Sequence, residues 1–229
     1  MSSGDGSPPK RRDLRAWLYW IWTTDQTFVQ FTREVLSSIL IVGLVGLLLF
    51  GISGVWPPMV AVESGSMTPH MHRGDLVFIM EETRLAPSFA TPGVGVVTHR
   101  TGETVDYRKF GDYGDVIVFQ PEGATGTPII HRARFWVNES ENWYSKADPD
   151  SLSGDDCESV PKCPAPHAGF ITKGDANSQY DQVSNIADIV RPSWIRGTAE
   201  VRIPMLGHIR LQFGTLSFHP QMVSGFASL

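Results

Sequence analysis

With 229 residues, 41% of them hydrophobic, 22 Gly and 16 Pro, the chain has ordinary globular composition, enough for one sizeable folded domain and an appendage. This excludes a disordered, a collagenous or a polytopic membrane protein. The net charge of −5 is unevenly spread: residues 1–34 hold five Lys/Arg and four Asp/Glu, and the remainder holds 14 and 20, a net of −6. An acidic remainder repels phosphates, which argues against nucleic acid as a partner. Only five of the basic residues are Lys, and an acidic, Lys-poor surface suits the high-salt surroundings of a salt-loving archaeon.

From the amino terminus, a mean hydropathy of −0.10 conceals 28 consecutive residues between Glu34 and Glu63 without an Asp, Glu, Lys or Arg. Within them, residues 35–55 read VLSSILIVGLVGLLLFGISGV, close to the roughly 20 apolar residues a helix needs to cross a ~30 Å hydrocarbon layer. A buried core helix would need soluble structure on both sides, and only 34 mostly polar residues precede this one. A cleaved signal peptide also has a basic flank and an apolar core, but this run exceeds its typical length of roughly 7–15 residues and no small-x-small site follows cleanly. We therefore expect an uncleaved signal anchor over residues 35–56 in the lipid bilayer. Lys10, Arg11, Arg12, Arg15 and Arg33 precede it, and only Arg73 occurs in the 20 residues after Val55. The positive-inside rule then predicts a cytoplasmic segment 1–34 and an extracytoplasmic domain 57–229. The Arg11–Arg12 pair is explained by the anchor without a twin-arginine export signal.

Beyond the anchor the pattern changes to short runs rich in β-branched and aromatic residues. These predict strands at Leu76–Met80, Val116–Phe119, Ile129–Val137, residues 169–172, Ile195–Ile203 and residues 208–213, separated by Gly-containing turns. The expected fold class is mainly β, an antiparallel domain tethered by one amino-terminal helix. Residues 81–112 read as an excursion with a hairpin in it, and residues 138–168, acidic and Ser/Pro-rich, read as a surface insertion. That insertion holds Cys157 and Cys163, the only two cysteines. In an oxidising exterior their spacing predicts a structural disulfide closing a small loop, with free thiols the next alternative and a redox pair or metal site the last. Residues 215–229 are too short, and too broken by His219-Pro220, to span a membrane.

Three side-chain types in this outer domain point to chemistry. Ser64-Gly65-Ser66-Met67-Thr68-Pro69 sets a hydroxyl on a Gly-assisted turn, flanked by a second hydroxyl. His131 sits among apolar residues of a predicted strand, and Asp175 and Asp181 follow the next one. Hydroxyl, proton acceptor and orienting carboxylate are the parts of a nucleophilic hydrolase, although singly each has a bland reading as linker, buried histidine or strand cap. His70 and His72 could ligate metal in principle, but no acid or cysteine pattern completes such a site and the segment reads as a surface loop.

These strings, in order, resemble the type I signal peptidases of the archaeal and endoplasmic-reticulum branch. Ser64-Gly65-Ser66-Met67-x-Pro69 is similar to the family's nucleophile box, and Arg73-Gly74-Asp75-Leu76-Val77 to the strand after it. Gly114-Asp115-Val116-Ile117-Val118-Phe119 resembles the strand before the base. His131-Arg132 stands where bacterial members have Lys-Arg. Gly174-Asp175-Ala176-Asn177 with Asp181 resembles the last box, and Arg202-Ile203-Pro204-Met205-Leu206-Gly207 the closing strand motif. Ala176 departs from the Asn often found there, and residues 138–167 are longer than expected.

The resemblance implies a serine endopeptidase in which Ser66 attacks the scissile carbonyl and His131 accepts and returns the proton. Asp181 is the first choice to orient His131, and Asp175 is the second choice or a structural support. The Ser64 hydroxyl, with the Ser66 backbone N–H, would form the oxyanion hole. Met67 and neighbouring apolar strand residues would line the substrate pocket. Bacterial members use a lysine base, for which Lys173 and Lys109 are the local alternatives. No cofactor or metal is implied. The expected substrates are membrane-embedded preproteins with small residues one and three positions before the cut, and the secretion translocon is an expected partner. The rival expectation is a non-catalytic membrane-anchored scaffold or subunit of a processing complex.

Overall fold

The computed structural model describes residues 14–24, 26–208 and 211. The expectations placed on residues 1–13 and 212–229 lie outside them. The described chain forms two compact units, Met1–Ile52 and Ser53–Leu229.

The first unit holds helix α1 (Leu14–Thr23) and all but the last residue of helix α2 (Thr27–Ser53). Among the described residues α2 is the one helix long and apolar enough to cross a membrane. Its 27 residues rise about 40 Å at ~1.5 Å each, more than a ~30 Å hydrocarbon layer. None of its most apolar window is buried. The expected bounds of 35–56 need correction at both ends. The polar turns before Val35 continue the helix, with Gln30 Nε2 donating to Glu34 Oε1 one turn on (3.0 Å) and Thr32 Oγ1 to Phe28 O (2.8 Å). The far end stops at Ser53 because Gly54 adopts a left-handed φ of 78° and Pro57-Pro58 cannot resume a helix. The segment read as a polar tail likewise contains the ten-residue α1.

The second unit is built on one six-stranded antiparallel sheet. Its strands are β1 (Met59–Ala61), β2 (Leu76–Met80), β5 (Val116–Phe119), β6 (Ile129–Val137), β7 (Gly169–Lys173) and β8 (Ile195–Ile203), in the order β1-β2-β8-β5-β6-β7. A small hairpin, β3 (Arg108–Lys109) with β4 (Asp112–Tyr113), lies outside it. All four side chains of β5 are fully buried. Val116 and Val118 join one cluster with Met67, Met71, Val77 and Ile79, and Ile117 and Phe119 join another with Ala133, Phe170 and Ile195. The period of two along the strand thus covers both faces of the sheet.

The strand expected at 208–213 does not form at its start: after β8 the chain turns, and His208 N–H donates back to Met205 O (3.2 Å). Residues 138–168 are not a surface excursion either. Trp143, Val160 and Ala165 are buried in a third cluster with Phe135, Val137, Ile171 and Tyr180, and Trp143 Nε1 donates to Lys162 O (2.8 Å). Cys157 and Cys163 form a disulfide there. Within 81–112 the expected hairpin is β3–β4, turning through Phe110 and Gly111 at φ 54° and 85°. A seven-residue helix α3 (His99–Val105), capped by Thr98, precedes it.

Candidate active site

The serine turn is anchored from beneath. Met67 and Met71 are fully buried, and Met67 O accepts from the N–H groups of both His70 and Met71 (2.9 Å each). Entry to the turn is tied to the start of β2 by Val62 N–H to Asp75 O (2.9 Å) and Gly74 N–H to Val62 O (2.8 Å). With its apolar side chains held down, the turn leaves Ser64 exposed and Ser66 half-buried.

Ser66 Oγ lies 2.9 Å from His131 Nε2, and His131 Nδ1 lies 2.7 Å from Asp181 Oδ2. A carboxylate only accepts, so it draws the imidazole proton to Nδ1 and leaves the Nε2 lone pair facing the serine hydroxyl. His131 is on β6; Asp181 follows β7 and is brought back by its own N–H donating to Thr172 O (2.9 Å). Thr172 Oγ1 donates to the same Oδ2 that the histidine uses (2.7 Å), and buried Gln182 holds the N–H and hydroxyl of Thr172 (3.1 and 3.3 Å). Asp181 is wholly buried, and its Oδ1 has no hydrogen-bond partner among the described residues. Ser64 Oγ lies 3.1 Å from Ser66 Oγ.

Asp175, the second candidate for orienting the base, does not touch His131. It forms a two-point ion pair with Arg132, through Nε to Oδ1 (2.9 Å) and Nη2 to Oδ2 (2.6 Å). Arg132 pairs with Lys173 across β6 and β7, two residues before Asp175, so the sheet register delivers the carboxylate to the guanidinium. His70 lies in a partly exposed turn, as the loop reading expects, but its side chain is not idle there: its Nδ1 lies 2.8 Å from Asp175 Oδ2. His72 contributes its backbone N–H to Asp75 Oδ2 (2.9 Å). There, hydrogen bonds from His72 and Met205 N–H and the charge of Arg202 overcome burial and hold the Asp75 carboxyl below its ordinary range. Neither candidate lysine reaches the serine: Lys173 Nζ donates to Ser151 Oγ (3.1 Å) and Lys109 pairs with Glu200. Burial, then the nearby Arg134 charge, lowers the Lys173 pKa.

A cleft of 340 Å³ opens beside the serine, between residues 61–67 and 127–131, with Asn177 and Ile186 on a third side. Met67 lines it from the core beneath, while Ile129, Ile130 and Ile186 present apolar surface. Thr127 Oγ1 donates to Glu63 Oε2 (2.9 Å), joining the two walls. Gly174 is required by the space: a Cβ there would come 2.7 Å from Ser66 O and 2.9 Å from His131 Nε2. Among the described residues no cluster of three or more His, Cys, Asp or Glu is arranged to hold a metal.

The structure thus brings together Ser64, Ser66, His131 and Asp181, and moves Asp175 into a neighbouring network. Sequence reading missed Thr172, Gln182 and the His70 contact. A hydroxyl inside an otherwise apolar strand was the one available signal, and it pointed to Thr172. No protein-family model matches the chain.

Proposed function

We propose that the chain is a membrane-anchored serine endopeptidase of the signal-peptidase type, removing amino-terminal signal peptides from exported preproteins. The observation that carries this reading is the continuous chain Ser66 Oγ, His131 Nε2, His131 Nδ1, Asp181 Oδ2, with contacts of 2.9 and 2.7 Å. Ser66 Oγ attacks the scissile carbonyl as its proton passes to His131 Nε2, and Asp181 stabilises the imidazolium that forms. The oxyanion is met by the Ser64 hydroxyl and the Ser66 backbone N–H. His131 then returns the proton to the leaving amine, and a water activated by the same nitrogen releases the acyl group.

The apolar cleft suits an extended segment with small side chains rather than a charged one. Only 12 residues lie between Ser53 and Ser66, so the chain joining them spans at most roughly 45 Å, which suits a substrate held in the same bilayer. The basic residues ahead of α2 support a cytoplasmic amino terminus, and the disulfide in the second unit supports an oxidising, extracytoplasmic location for it.

The test is cleavage of a preprotein by membranes carrying the wild type, Ser66→Ala or His131→Ala. Both variants are expected to lose cleavage by at least about 10³-fold. A Ser66→Ala protein that still cleaves overturns the reading. A wild type that binds preprotein without cutting it would instead make the domain a scaffold.

A further inference from the structure

We infer that His70 is a positioning residue for the nucleophile, acting through Asp175; this rests on the serine-peptidase reading above. His70 leaves the turn that carries Ser66, and its Nδ1 lies 2.8 Å from Asp175 Oδ2. The next residue, Ala176, donates its N–H to Ser66 O (2.8 Å). The serine turn is therefore clipped to the turn at 174–177 twice, once by backbone at Ser66 and once by the His70 side chain.

The same carboxylate is shared with the other half of the dyad. Arg132 adjoins His131 in β6, takes both Asp175 oxygens (2.9 and 2.6 Å), and donates Nη1 to the carbonyls of Lys109 and Gly114 (3.1 and 3.0 Å). Arg132 and Asp175 side chains are 0% and 3% exposed, so this ion pair is buried. The His70 ring also packs on the β3–β4 hairpin, where a Cβ on Gly111 would come 3.0 Å from its Cδ2. Asp175 thus relates two chain segments, one adjoining the base and one adjoining the nucleophile. Arg132 alone keeps Asp175 oriented; His70 adds the tie to the serine side. Because the Ala176 to Ser66 bond survives its loss, removing His70 loosens the 2.9 Å serine-to-imidazole contact without dismantling the site.

The test is steady-state cleavage of a preprotein-derived peptide by the full-length enzyme in detergent micelles. Ser66→Ala, assayed alongside, reports on the underlying reading by itself: turnover by that variant overturns both ideas. His70→Phe keeps a ring against Gly111 and removes both nitrogens. It is expected to lower kcat about 10- to 100-fold, with KM changed less than about twofold, as for a misplaced reacting group. His70→Asn restores a donor where Nδ1 sits and is expected to recover kcat to within about threefold of wild type. A His70→Phe enzyme with wild-type kcat, or a His70→Asn enzyme as impaired as His70→Phe, overturns the inference. His70→Ala replaces His70→Phe in the comparison if the latter does not accumulate folded.

Discussion

Two aspartates six positions apart end in different networks, and the difference lies in what surrounds each carboxylate. Asp181 gives a single oxygen to His131 and Thr172, and on the proposed mechanism its charge is what supports the imidazolium. Asp175 spends both oxygens on Arg132. Asp181→Asn preserves shape but offers its amide N–H or an uncharged oxygen to Nδ1; kcat is expected to fall about 10²- to 10⁴-fold while substrate binding persists. Steady-state kinetics check this, and an unchanged kcat would remove Asp181 from the mechanism. Gly174→Ala is a steric counterpart. Its φ is not in the left-handed region, so the cost comes from contact alone: the methyl would press on Ser66 O and His131 Nε2. A folded protein with kcat lowered at least about 10²-fold is expected, read by circular dichroism beside turnover. Ser66 and His131 were legible from residue type and setting, a hydroxyl on a Gly-assisted turn and a histidine in an apolar strand, whereas the preference for Asp181 over Asp175 rested on the family resemblance alone. The partner of Asp175 was not, since it depends on β6–β7 register, and neither was His70, whose ring says nothing of what it faces until the 174–177 turn is folded beside it.

At the scale of elements, the strands were legible where β-branched runs were long and bounded by turn residues: β2, β5, β6 and β8 fall on their expected bounds. The three-residue β1 and the seven-residue α3 are too short to show a period, and both exist through tertiary contacts. Asp115, at the head of β5, shows such contacts. It accepts from Val97 N–H (2.7 Å) and Tyr107 OH (3.0 Å), fastening the region around α3 to the sheet. Burial pushes its carboxyl from 3.8 up to about 6, although these hydrogen bonds pull the other way. The folded state therefore holds this proton more tightly than the unfolded chain. Its contribution to stability is complete below about 3.8 and is lost as pH rises through about 6. Asp115→Asn can still accept from Val97 N–H through its oxygen and donate its amide N–H to the Tyr107 hydroxyl, and it cannot titrate, so the wild-type-minus-variant difference in urea midpoint should fall between pH 4 and 6 and stay level above. A difference independent of pH would show that Asp115 stays ionised in the fold. The disulfide acts on the neighbouring element: Cys157→Ser with Cys163→Ser opens a loop with a sequence separation of 6, and about 2 kcal/mol of stability is expected to go with it. Chemical denaturation measures this, and the loss should centre on the cluster around Trp143.

At the scale of the molecule, the mean hydropathy of −0.10 averages two unlike units. Met1–Ile52 carries exposed apolar side chains along α2, and Ser53–Leu229 buries its own around a closed network of sheet and loops. Ser66, His131 and Asp181 lie wholly within the second unit, so on the proposed reading hydrolysis itself should not need the first. On the proposed reading, what the anchor contributes is encounter: confining a peptidase and its preprotein to one bilayer would raise their effective concentration, a gain of roughly 10²–10⁴ without any new contact. Protein beginning at Ser53 is therefore expected to cleave a short soluble peptide within about threefold of the full chain, while its rate on a preprotein embedded in vesicles falls at least about 10²-fold. Both substrates must be assayed with both proteins. Equal losses on the two would mean that the anchor supports the fold of the site, and no loss on the embedded preprotein would mean that the second unit finds the membrane surface unaided.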